Sequence, residues 1–165
     1  MGHRAPRDIL HGAVTLLATF AFQAFLGKPL AATPFRVNIF LPAVLVFAVI
    51  KGDLAGAGMG AAAGLVADAF SVGVFGIAGT VYTLVGFMAG WISRRIHILS
   101  FLRSFILFGL LGLIGMVFRL ALTAAVIAEP IPWDRGRILL QPLSTAFLAA
   151  FAFAVFRRLR RSRVR

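Results

Sequence analysis

The sequence predicts an all-α, polytopic membrane protein of about six transmembrane helices, forming one domain over residues 1–165. Three observations carry that prediction. Hydrophobic residues make up 61% of the chain and charged residues 13%, the latter about half the share found in an ordinary soluble domain. The apolar residues gather into six segments separated by short basic or glycine- and proline-rich runs. Finally, Gly52, Gly56, Gly60 and Gly64 recur every fourth residue, and Asp68 continues the spacing. On an α-helix such positions share one face, so this is a glycine stripe ending in a carboxylate. Helices in lipid associate through close backbone approach, which small residues permit.

The first segment runs from about Ile9 to Leu26. Behind MGHRAPRDIL it imitates a signal peptide, with Leu30-Ala31-Ala32 as a loose cleavage site, but its length favours a retained helix. His11, Thr15, Thr19 and Gln23 form a polar stripe on it. In lipid that stripe should turn inward and hydrogen-bond other helices rather than line a substrate path, with His11 snorkelling at the inner interface. Pro29 and Pro34 then mark an ordered outer turn between Gly27 and Arg36.

The second segment, about Val37 to Ile50, contains Pro42, expected to weaken one helical hydrogen bond. The third, about Leu54 to Phe70, carries the glycine stripe. Both are shorter than the roughly 20 residues of a full span, so little tilt or a locally thinned bilayer is expected. In SVGVFGIAG, Gly73, Gly76 and Gly79 form a tight, uncharged outer turn. The fourth segment, about Val74 to Ile92, brings a second small-residue pair, Gly86 and Gly90. The stripe could be a dimerisation motif, but this matching pair makes an intramolecular packing core of the third and fourth helices the simpler expectation.

The fifth and sixth segments cover about Leu102 to Ala128 and about Ile138 to Phe156. Between them lies EPIPWDRGR, an outer loop stiffened by Pro130 and Pro132 and anchored by Trp133. Its Glu129, Asp134, Arg135 and Arg137 are available to a partner. The chain closes on FRRLRRSRVR, whose basic residues 157–165 read as a topology anchor beside anionic lipid.

A net charge of +12 would suggest nucleic acid in a soluble protein. Here the basic residues sit in short runs between apolar segments, so nucleic-acid binding is not expected and orientation is what they encode. With the N-terminus inside, Arg4, Arg7, Lys51, Arg94, Arg95, Arg103 and the arginines from Arg157 to Arg165 lie on the cytoplasmic side. Only Lys28, Arg36, Arg135 and Arg137 lie opposite. That asymmetry places both termini in the cytoplasm and requires an even helix count, which six satisfies. Trp91 and Trp133 fall at the expected inner and outer boundaries.

Asp68 and Arg119 are the charges inside expected spans, and each is costly in hydrocarbon unless paired or near water. Counted from Leu54 and Ser104, both lie about 21–23 Å from the inner edge. Two arrangements follow: an ion pair or shared hydrogen-bonded cluster, or Asp68 capping the following turn while Arg119 snorkels outward alone. Catalysis has little material. No paired carboxylates lie in a span, and neither a zinc-protease nor a nucleophile-elbow motif occurs. The absence of cysteine excludes disulfides and thiolate chemistry, and His3, His11 and His97 are scattered. No enzyme, cofactor or metal centre is expected.

The stretch from Pro42 to Arg95 resembles the bacterial rod shape-determining protein MreD family. It has a proline-led apolar helix (Pro42), a short basic-acidic turn (Lys51 to Asp53) and a glycine-rich helix ending in Gly64-Leu65 with Asp68. A glycine loop (Gly76) and a helix with Gly86-Phe87 and Gly90 follow. The match covers about a third of the chain, and the arginine tail departs from the family pattern. The resemblance implies a non-enzymatic inner-membrane component of the peptidoglycan elongation machinery that binds MreC, alongside RodA, a class B penicillin-binding protein and MreB. It also implies a fold like the six-helix substrate-binding components of energy-coupling-factor transporters, and a vitamin-type transport component is the alternative function. A pocket for that role would have to draw on Gln23, Asn38, Asp68, Tyr82 and Arg119.

Overall fold

The computed structural model describes residues 14, 39–70, 74–95, 101–126 and 135–162, the last with side chains over 142–158. Among the described residues the chain forms five α-helices and no strands. They are α1 (Phe40–Lys51), α2 (Asp53–Ala69), α3 (Ile77–Arg95), α4 (Phe101–Val126) and α5 (Arg135–Ser162). These correspond to the second through sixth apolar segments. The first segment with Gln23, apart from the helical Val14, and the loop with Pro130, Pro132 and Trp133 lie outside the described residues.

Helix starts and stops correct several expectations. Because α1 begins at Phe40, Pro42 sits in the first turn, where an N–H would have no helical partner. It therefore costs no hydrogen bond, contrary to its expected mid-helix placement. Gly52 alone separates α1 from α2. Its φ of +100° is open to glycine and strained for L side chains, and its carbonyl accepts the Gly56 N–H at 2.9 Å to start α2. Gly79 is not a turn residue, since α3 has already begun at Ile77. At the other end of the chain, the helix does not stop where the apolar run does. It continues through the basic stretch to Ser162, which arginine's high helix propensity favours.

The helices pack as two antiparallel pairs, α2 with α3 and α4 with α5, and α1 lies against members of both. Val44 and Leu45 of α1, Val81 and Val85 of α3, Phe108 and Leu111 of α4, and Ala149 of α5 form the buried centre. Phe108 and Phe153 meet edge to face, with centroids 6.1 Å apart. Pro142 lies inside α5 and faces Gly112, where an added Cβ would stand 3.6 Å from the proline. α4, with 26 residues, is long and apolar enough to cross a membrane, and only 22% of its most apolar stretch is buried. Its Leu102, Ile106, Leu110, Leu113 and Val117 face outward, as do Leu143, Phe147, Phe151 and Val155 at four-residue spacing on α5.

Candidate functional site

All the described site residues but Arg119 converge on the α2–α3 pair. Gly64 lies against Ala78 and Gly79, Gly60 against Tyr82, Gly56 against Gly86, and Gly90 against the Gly52–Asp53 peptide. Each step of four along α2 is met by a step of four the opposite way along α3, so the two backbones stay in contact over the hairpin. The room is tight at every step. A Cβ at Gly56 would stand 2.5 Å from both the Gly86 carbonyl oxygen and the Ala48 methyl. One at Gly64 would stand 2.5 Å from the Ala78 carbonyl oxygen and Gly79 Cα, and one at Gly60 would run into the Tyr82 carbonyl. Gly58, off the stripe, faces open space.

Asp68 closes one end of this hairpin. The helix α3 begins with N–H groups that have no helical acceptor, and the residue before it, Gly76, has no side chain to supply one. Asp68 does so from the end of α2. Its Oδ2 accepts the N–H groups of Gly76 and Gly79, each at 3.0 Å, and its Oδ1 accepts that of Ala78 at 3.2 Å. The side chain is buried at 6% exposure. A negative charge there is favoured by the positive end of the α3 dipole and by charge-assisted hydrogen bonds. The φ of +98° at Gly76 turns the chain so that these amides point at the carboxylate, and the Gly76 carbonyl in turn accepts the Thr80 N–H and hydroxyl.

Arg119 is elsewhere. It is exposed on α4, and no ion pair joins it to Asp68, whose oxygens accept the amides of Gly76, Ala78 and Gly79. Of the two arrangements open to Asp68 in the sequence, the structure has the cap and not the pair. Arg119 instead borders a cavity of about 30 Å³ shared with Tyr82, Pro142 and Thr145.

The opposite end of the hairpin holds a contact that sequence reasoning missed. Arg94 Nη2 lies 2.7 Å from Asp53 Oδ1, and Asp53 also accepts the Leu54 N–H at 2.8 Å. The missing Cβ of Gly52 leaves space for the Arg94 guanidinium. Each charge also favours its own helix end, the acid in the first turn of α2 and the base in the last turn of α3. A signal was present, since Asp53 and Arg94 flank the Gly52–Gly90 step with opposite charge. Beside them Arg95 stacks on Trp91, its guanidinium carbon 4.9 Å from the ring centre.

The hydroxyls of Thr83, Ser93 and Thr123 each donate to a carbonyl three or four residues back in their own helix, at 2.7–2.8 Å. Such bonds satisfy them without water. The chemistry of the site is thus that of a clamp: a carboxylate holding backbone donors at one end, an ion pair at the other, and glycine contact between. Comparison of the chain with protein-family models, with curated proteins and with solved structures finds no match.

Proposed function

We propose that this chain is a non-enzymatic, six-span component of the bacterial inner membrane, with both termini cytoplasmic, acting in cell elongation by binding MreC. One observation carries the reading. Of the residues on which the MreD resemblance rests, Gly64, Asp68, Gly76, Gly86 and Gly90 meet in a single hairpin, where Gly64, Gly86 and Gly90 allow close backbone contact, Gly76 turns the chain and Asp68 caps α3. The outward apolar stripes on α4 and α5 support residence in lipid, since soluble monomers rarely expose such continuous apolar surface. Because the glycine stripe and Asp68 are consumed inside the bundle, partner contact falls to other surfaces, and the loop carrying Pro130, Pro132 and Trp133 belongs among them. RodA, the penicillin-binding protein and MreB follow as neighbours in the same assembly.

The cavity beside Arg119 is no larger than the space a water or two would fill, which weighs against a vitamin-sized ligand there. Affinity isolation of the tagged full chain from solubilised membranes tests the proposal. Co-isolation of MreC, a periplasmic protein with a single span, supports it. Co-isolation of an ATPase module instead makes the chain a transport component and overturns it.

A further inference from the structure

We propose that the cleft between α4 and α5, at their basic ends, binds the phosphate headgroup of an anionic phospholipid. The cleft has a volume of about 190 Å³ and is lined by Phe101, Ser104, Phe153, Ala154, Arg157 and Arg158. Its chemistry is two-sided. Arg157 and Arg158 bring two guanidinium groups, the side chain best suited to grip phosphate oxygens in pairs. Arg157 is drawn over the Phe153 ring, 5.9 Å from its centre, so its charge is held beside the cleft. Ser104, 1% exposed, lines the cleft from the first turn of α4, the end of a helix that favours an anion. Phe101, Phe153 and Ala154 supply an apolar wall.

What leaves the cleft matters as much as what enters it. Leu102 and Ile106 on α4, and Phe151 and Val155 on α5, are exposed on the neighbouring faces of the same helices. A free phosphate would leave them uncovered, whereas acyl chains attached to the bound phosphate run along them. Two cationic groups also require a ligand of net negative charge, which sets phosphatidylglycerol apart from zwitterionic lipids. The site rests on the membrane residence proposed above and not on the role in elongation. A chain recovered in the soluble fraction removes the former reading, whereas an embedded chain without lipid preference removes only this site.

The test uses the purified full chain mixed with equal amounts of phosphatidylglycerol and phosphatidylcholine, with retained lipid measured by native mass spectrometry. Phosphatidylglycerol should be retained preferentially. Arg158→Gln, at an exposed position, should weaken its retention about fivefold, and the Arg157→Gln/Arg158→Gln pair about thirtyfold. Ala154→Leu, which fills the cleft at unchanged charge, should also reduce retention, and Arg163→Gln/Arg165→Gln should leave it unaltered. The proposal is overturned if the Arg158 variant retains phosphatidylglycerol like the parent, or if the tail pair loses as much as the cleft pair. It is equally overturned if millimolar inorganic phosphate displaces the lipid, because the acyl chains then contribute nothing.

Discussion

At Asp68 the chain solves a junction problem with one side chain. A carboxylate at the end of its own helix faces the negative end of that helix's dipole, yet the same group sits at the positive end of α3 and holds two of its amides and that of the preceding Gly76. Asp68→Asn keeps the shape but turns an NH2 toward backbone donors. It is expected to cost about 1–3 kcal/mol, the penalty of a buried donor left without its acceptor. Asp53→Asn, whose partner Arg94 is 61% exposed, should cost under about 1 kcal/mol. Thermal unfolding of the purified variants in one detergent checks the order. Since Asp68 and Arg119 are not joined, Asp68→Asn and Arg119→Gln should combine additively within about 0.5 kcal/mol. A double-mutant cycle showing a larger coupling would contradict the separation of Asp68 from Arg119.

Between helices, the contact between α2 and α3 is set by spacing rather than by side-chain volume. The register brings Gly56, Gly60 and Gly64 against backbone atoms, so a side chain there must push two helices apart. Gly60→Leu is expected to destabilise by overpacking, by about 1–3 kcal/mol or more. Gly58→Leu, two residues away and facing open space, should be nearly neutral. Equal thermal midpoints for the two variants would mean that the stripe is not a packing face. This element was legible in the sequence because four-residue spacing of glycine has one geometric meaning on a helix. The partner register was only half legible: Gly86 and Gly90 stood out, whereas Gly79 read as a turn because Gly73 and Gly76 precede it. The donors to Asp68 are backbone amides, which no residue type announces, and their aim depends on the positive φ of Gly76. Pro42 and the end of α5 were misplaced for a related reason. Hydropathy locates the apolar part of a helix, while caps and propensity decide where the helix starts and stops.

On the scale of the whole chain, the two pairs differ in what they leave exposed. α2 and α3 spend their small residues on each other, while α4 and α5 turn Leu, Ile, Val and Phe outward along most of their length. A molecule so arranged has an interior built from close backbone contact and an exterior that lipid or a membrane partner covers. The basic end of α5 and the Lys51, Arg94 and Arg95 region carry the charges expected to face the cytoplasm. Cell elongation is the role proposed for the chain from the MreD resemblance. Depleting the chain from its own bacterium, with cell width and length measured as it disappears, tests that role most directly. The account predicts cells that widen and round while continuing to divide, restored by the parent chain and by Gly58→Leu but not by Gly60→Leu. Cells that keep their width and length after the chain is gone would contradict it.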